Sequence, residues 1–324
     1  MNGAPQKILV LGAGNFGTCL AHHLAKLGHT VKMWARDPLV VQSINTHHLN
    51  PRYLKTITLD SNLQAIFELH ATEIENAHVI VFAIPTQFLR KVLQEKIIHH
   101  LKPHHLLVSA VKGIETKTLL FPSGILKDVM SDSNPLVILS GPSFAIEVAT
   151  GQPTGVSVAC NNLELAKKAQ KIFHAPRFRV YSSDDSIGLE VAGAVKNVIA
   201  IASGACAGLG FQSNSRATLI TRGLAEITRL GVALGANPLT FNGLGGVGDL
   251  FLTCNSAQSR NYSVGYELGK GKTLEAVVEN LGSIAEGVVT TEATHALSHK
   301  LNVSTPIIDA VYQVLYQNQP IVKV

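Results

Sequence analysis

The segment Ile8-Leu9-Val10-Leu11-Gly12-Ala13-Gly14-Asn15-Phe16-Gly17 constrains this chain more than any other. An apolar run from Lys7 to Leu11 leads into Gly-x-Gly-x-x-Gly. A helical pattern, Asn15–Leu27, follows until Gly28 stops it, and a second apolar run, Val31–Trp34, comes next. The strand–turn–helix–strand order gives the glycine spacing its meaning. Gly12 permits the tight turn, Gly14 lets backbone approach a pyrophosphate, and Gly17 lets helix and strand pack closely. Free N–H groups at the helix start would then meet the phosphates of a dinucleotide. Gly243-x-Gly245-x-x-Gly248 repeats the spacing, but no apolar strand precedes it, so it reads as a loop of a second domain.

Further continuous apolar runs occur at Val79–Ala83, Leu106–Val111 and Leu136–Ser140, with helical stretches such as Thr86–Leu93 and Thr118–Met130 between them. Unbroken apolar runs suit parallel strands buried on both faces. Thr154–Ala159 and Arg177–Tyr181 read as two added edge strands. After about residue 186 the pattern turns helical: Ile187–Ala207, Ala217–Leu234, Thr273–Leu281, Thr290–Lys300 and Pro306–Tyr316. The expected fold is α/β, a Rossmann-type doubly wound sheet followed by a mainly α-helical domain. The boundary falls near residues 186–192, giving a dinucleotide-binding domain at 1–188 and a helical substrate domain at 189–324.

Ser186–Phe211 is long and mostly apolar, yet it carries Glu190, Lys196 and Asn197. Charge inside a membrane span is costly, so this reads as a buried helix with functional polar groups. Lys and Arg are scattered under a formal charge of +5, which argues against nucleic acid and suits small anionic ligands. The four cysteines form no C-x-x-C pair, and no signal-peptide layout opens the chain. A reducing cytoplasm is the expected location. The histidines read as bland. His100 and His104 stand four apart across Pro103, and no Cys or carboxylate is seen to complete a metal set with them, so no metal is expected. An apolar helical domain makes a homodimer plausible.

Ligands of open parallel sheets sit beyond the C-terminal strand ends. Where an acidic residue would hold a ribose 2′-hydroxyl after Trp34, this sequence has Ala35 and Arg36. An Arg accepts a 2′-phosphate, so the expected cofactor is NADP or NAD, leaning to NADP, with Asp37 as the counterargument. Lys112 follows another strand, placed to face nicotinamide or substrate. Lys196 lies on an apolar helix, where burial lowers an ammonium's pKa and fits it for proton transfer. Asp249, behind closely spaced glycines, could reach Lys196, and Thr253 lies one helical turn on. Ser259, Arg260 and Asn261 offer polar groups and a planar guanidinium suited to phosphate.

Taken in order, GAGNFGTCLA, WARDP, IPTQ, SAVKGIE, LSGPSFAIEVA, AVKNVIAIASG, GLGGVGDLFLTC, SRN and EGVVTTEA resemble the NAD(P)-dependent glycerol-3-phosphate dehydrogenases of bacterial type, over nearly the whole chain. The resemblance implies interconversion of sn-glycerol 3-phosphate and dihydroxyacetone phosphate, supplying glycerol 3-phosphate for phospholipids. It implies Lys196 as proton acceptor, with Lys112 and Asp249 also catalytic. It implies that Lys112, Gly141, Ser143, Lys196, Asp249, Thr253, Ser259, Arg260 and Asn261 hold substrate. Cofactor contacts would come from Gly12, Gly14, Asn15, Phe16, Gly17, Arg36, Tyr53, Lys112, Ala145, Arg260, Ile284 and Glu286. A dehydrogenase of a hydroxyacid or 6-phosphogluconate, and a non-enzymatic NADPH-sensing regulator, are the competing readings. The SRN and GDL elements argue against the first. The Lys112, Lys196 and Asp249 set argues against the second.

Overall fold

A computed structural model describes residues 4–130, 134–281 and 285–322. Ile284 lies outside the described residues. The chain divides into two compact units. The first comprises residues up to 111, 122–139 and 143–186. The second comprises 112–121, 140–142 and 187 onward. Two short pieces of the first half of the sequence, one of them bearing Lys112 and the other Gly141, therefore belong with the helical unit.

An eight-stranded sheet is built from β1 (Lys7–Leu11), β2 (Thr30–Trp34), β3 (Leu63–Ile66), β4 (Val79–Phe82), β5 (Leu106–Ser109), β6 (Leu136–Ser140), β7 (Thr154–Ala159) and β8 (Phe178–Ser183). Its spatial order is β3-β2-β1-β4-β5-β6-β7-β8. The first six strands follow the order of a dinucleotide-binding sheet, whose switch point lies between β1 and β4. β1 runs parallel to both neighbours, pairing Leu11 with Trp34 and with Phe82. β2 with β3, β4 with β5, β5 with β6, and β7 with β8 are parallel as well. β4 and β5 are buried at every position, as continuous apolar runs require. The core of this unit joins Val10, Val81, Val108 and Val137 of the sheet to Leu20 and Leu24 of the Asn15–Lys26 helix.

Several boundaries differ from the sequence reading. β4 and β5 stop at Phe82 and Ser109, before the expected ends. β8 is an edge strand, but β7 lies inside it. The helix expected over Thr118–Met130 spans only Pro122–Val129. Leu119 sits at φ 59°, where a β-carbon-bearing residue resists helix continuation, and the Glu115–Leu120 turn closes on itself through two backbone hydrogen bonds. β3 has no counterpart in the sequence reading.

The second unit is helical. Its central helix, Ser186–Gly208, passes the length and composition test for a membrane span, yet 83% of its most apolar window is buried inside the protein. Val195, Val198 and Ile199 form a core with Ile227, Leu230, Phe241 and Leu250 from later helices. Glycines let the Arg260–Gly269 helix approach this central helix backbone to backbone. A β-carbon at Gly204 or Gly265 would strike the main chain of the other helix, at Tyr262 and Ile201 respectively.

Candidate active site

The first unit supplies a glycine turn that opens onto a helix start. Gly12 follows β1 at φ +115°, and a β-carbon there would lie 2.5 Å from the Ala83 carbonyl oxygen. A β-carbon on Gly17 would strike the Gly12 carbonyl oxygen, so the helix meets the turn only because this position is bare. Gly14, the helix N-cap, has open space where its β-carbon would be. No side chain caps this helix and no acidic residue lies in its first turn, which contains Asn15, Phe16 and Gly17. An uncapped helix start with an open glycine is suited to an anion. Asn50, which sequence reasoning missed, braces the turn. Its buried amide donates to Ala13 O at 3.1 Å and Thr18 Oγ1 at 2.8 Å, and its Oδ1 accepts from the backbone N–H of Arg52 and Tyr53. Tyr53 is thereby held beside the glycine turn.

Past β2, Arg36 is exposed, and its guanidinium lies 5.5 Å from the centre of the Phe88 ring. Asp37 is engaged locally. It accepts from Leu39 N–H to cap the Pro38–His47 helix and pairs with Arg52 at 2.7 Å. Ala145 opens the short Ala145–Ala149 helix and packs against the core, with Ser143 two residues before it.

The second unit holds the charged cluster. Lys196 projects from the central helix. Asp249 and Thr253 share one turn of the Asp249–Cys254 helix. The segment before them, expected as a loop, is a kinked turn at Leu244–Gly248 whose backbone leaves the helical region at Gly246 (φ −92°, ψ −105°). Gly245 packs against the Leu189 side chain and Gly246 against Phe241 backbone, so β-carbons there would displace the turn that aims Asp249. Lys196 Nζ donates to Asp249 Oδ1 and, at 2.8 Å, to Thr253 Oγ1. The Thr253 hydroxyl donates in turn to Asp249 O at 2.6 Å. Lys112 Nζ donates to Asp249 Oδ2 at 2.7 Å. One buried carboxylate thus serves two ammonium groups.

Burial drives the Lys196 pKa down to about 7, and the positive charge of Lys112 adds to this, while Asp249 opposes it. Burial alone would raise Asp249. The two lysines outweigh it and hold the carboxyl below the usual range. Ser140 and Gly193, also missed from sequence, shape the neighbouring space. The Ser140 hydroxyl is buried without a hydrogen-bond partner, and a β-carbon on Gly193 would come within 2.7 Å of it and 3.9 Å of the Lys112 side chain. Gly141 follows at φ +146°.

Ser259 caps the Arg260–Gly269 helix by accepting from Tyr262 N–H, and buried Asn261 accepts from Gly287 N–H at 2.9 Å. Both therefore have structural partners. Arg260 is exposed on the first turn of its helix. Glu286 opens the Glu286–Lys300 helix. Burial pushes its pKa up to about 7 against the pull of Arg260 and Lys112.

A glycine turn opening onto a helix start in one unit and a buried lysine–carboxylate cluster in the other have the chemistry that a two-domain dehydrogenase needs. The sequence pattern of the NAD-dependent glycerol-3-phosphate dehydrogenase N-terminus matches residues 7–166, and that of the C-terminus matches 185–324. This chain belongs to the NAD-dependent glycerol-3-phosphate dehydrogenase family. It is 48% identical to the glycerol-3-phosphate dehydrogenase (NAD(P)+) of Limosilactobacillus reuteri strain DSM 20016, across 98% of this chain and 94% of that protein. It is 47% identical to the like-named protein of Nitratidesulfovibrio vulgaris strain DP4, across 97% and 94%. The crystal structure of glycerol-3-phosphate dehydrogenase from Coxiella burnetii superposes with a TM-score of 0.92 at 34% identity, covering 98% of this chain and 97% of that one. In this glycerol-3-phosphate dehydrogenase family member, the open face at Gly14 and the uncapped helix start fit the pyrophosphate of an NAD(P) cofactor.

Proposed function

We propose that this chain interconverts sn-glycerol 3-phosphate and dihydroxyacetone phosphate, with Lys196 exchanging the proton on the C2 oxygen. The observation that carries this reading is the buried Lys196–Asp249–Lys112 cluster, in which Lys196 has a pKa of about 7 and so populates both proton states near neutrality. A bound nicotinamide cofactor would supply the hydride chemistry at C2. Lys196 takes the alcohol proton during oxidation and returns it during reduction. Asp249 and Thr253 fix the direction of its Nζ. Lys112 brings a second cation toward the same oxygen. Fixed charges in a site withdrawn from water need no reorganisation as the oxygen's charge changes.

Arg260 would bind the substrate phosphate through its planar fork of donors, with Gly141, Ser143, Ser259 and Asn261 shaping the rest of the substrate site. Gly12, Gly14, Asn15, Phe16 and Gly17 would cradle the pyrophosphate. Tyr53, Ala145, Lys112, Arg260 and Glu286 would complete the cofactor contacts. Arg36 supports a lean to NADP, since Asp37 is already occupied as a helix cap and ion-pair partner. We divide the chain into a dinucleotide-binding domain, 1–188, and a helical substrate domain, 189–324, with Lys112, Gly141 and Ser143 of the first also serving substrate and Arg260 and Glu286 of the second also serving cofactor. We place the protein in the cytoplasm, as a homodimer supplying glycerol 3-phosphate for phospholipid synthesis.

The test is oxidation of NADPH, followed by absorbance with dihydroxyacetone phosphate as substrate, then repeated with NADH. Rapid oxidation is expected. Folded protein that binds NADPH but turns over neither cofactor would overturn the reading in favour of another substrate or a regulator.

A further inference from the structure

We infer that His295, His299 and Asp309 form a binding site for one divalent cation of the zinc class on the helical unit. His295 and His299 stand one turn apart on the Glu286–Lys300 helix, and Asp309 faces them from the Pro306–Tyr316 helix. One potential ligand atom from each lies within 4.8 Å of the other two. His295 Nδ1 is 2.8 Å from Asp309 Oδ1, and His299 Nε2 is 3.4 Å from the same oxygen. Zinc bonds of about 2.0–2.1 Å in a tetrahedron set ligand atoms roughly 3.3 Å apart. The two distances bracket that spacing, and the two imidazole nitrogens lie within 4.8 Å of each other.

The frame around the three residues is already fixed. The His295 ring stacks on Tyr312, with centroids 3.9 Å apart and planes 9° from parallel. The Glu226 carboxylate accepts from Ile307 and Ile308 N–H, which anchors the start of the second helix. Arg229 donates to Ser304 O at 2.8 Å, and Thr305 donates to Ser298 at 2.9 Å, which pins the connection between the helices. Ligands on rigid elements lose little freedom when a metal arrives. Side-chain exposures of 24%, 62% and 30% for His295, His299 and Asp309 leave room for water to complete the shell.

Two imidazoles and one carboxylate select a borderline cation. Magnesium and calcium require oxygen ligands in larger number. None of the three residues is assigned to substrate or cofactor, so the ion would act as a clasp between two helices. Such a clasp stabilises the folded chain by mass action, by an amount that grows with the logarithm of free metal once its concentration exceeds Kd.

The test uses the full chain, stripped with a chelator and titrated with Co2+ by visible absorption and with Zn2+ by calorimetry. One saturable site with ligand-field bands is expected. His299→Ala and Asp309→Asn should each weaken that site at least ~10-fold, and at equal concentration Zn2+ should raise Tm less in the variants than in the parent chain. His299 is largely exposed, so His299→Ala should leave the circular dichroism spectrum unchanged. Absence of saturable binding would overturn the proposal. So would binding of equal strength in both variants, which would place the metal on other histidines.

Discussion

Lys196 Nζ is hydrogen-bonded to Asp249 Oδ1 where the two side chains are only 8% and 2% exposed. The same carboxylate receives Lys112 through its other oxygen. Asp249→Asn would remove the charge that holds the Lys196 pKa up, leaving Lys196 a neutral amine at pH 7 and the Lys112 ammonium facing a neutral amide in a site nearly closed to water. Breaking a buried pair from one side costs about 3–5 kcal/mol. We expect a clear fall in Tm, together with a drop in kcat of roughly 10²-fold at pH 7, the scale of a misplaced acid–base group. A variant with normal kcat would remove Asp249 from the positioning of Lys196.

The pH dependence should have opposite signs in the two directions. Reduction of the ketone needs the Lys196 ammonium as proton donor, and oxidation of the alcohol needs the free amine. With desolvation bringing Lys196 down to about 7, kcat for reduction should be level at low pH and fall as pH rises through about 7. For oxidation it should rise through the same range to a plateau. Glu286, pushed up to about 7 by burial, ionises in the same window. Glu286→Gln should therefore keep the Lys196 step, whereas Lys196→Ala should abolish it and lower kcat by roughly 10²-fold or more. Profiles of the same sign in both directions would reject Lys196 as the proton carrier.

Much of the first unit was readable from sequence because its strands are buried on both faces. β1 and β6 read as unbroken apolar runs with the boundaries observed. β3 was invisible because Leu63–Ile66 is four residues long and alternates buried with exposed. The site was legible in its residue types and not in its contacts. Lys196 was conspicuous as a cation on an apolar helix, but it lies 53 positions from Asp249, and Lys112 lies 137 from it. Asn50 gave no signal at all, since its role arises only where the Tyr53 turn meets the glycine turn. His295 and His299 have helical spacing in the sequence, but Asp309 joins them only when two helices fold back together.

Arg36 offers a direct test of cofactor choice. It is exposed beside Phe88, while Asp37 is committed to Leu39 N–H and Arg52. A hydrogen bond to a charged group is worth about 1.5–3 kcal/mol, which corresponds to roughly 10–100-fold in affinity. Arg36→Ala should raise the KM for NADPH by that factor and leave the KM for NADH nearly unchanged. Equal effects on both cofactors would assign Arg36 to the shared part of the molecule and end the case for NADP.

Arg260 tests the substrate end. It is exposed on the first turn of its helix, while its neighbours Ser259 and Asn261 spend their side-chain oxygens on Tyr262 and Gly287 N–H. Of the three, Arg260 is the one that offers a phosphate dianion a positive charge and a planar fork of donors. An interaction made equally in ground state and transition state changes KM and not kcat. Arg260→Ala should accordingly raise the KM for dihydroxyacetone phosphate by roughly 10–100-fold, with a much smaller change in kcat. Lys in place of Arg should recover only part of the loss, because a point charge cannot reproduce the planar pair of hydrogen bonds. An unchanged KM in Arg260→Ala would move the phosphate site elsewhere in the helical unit.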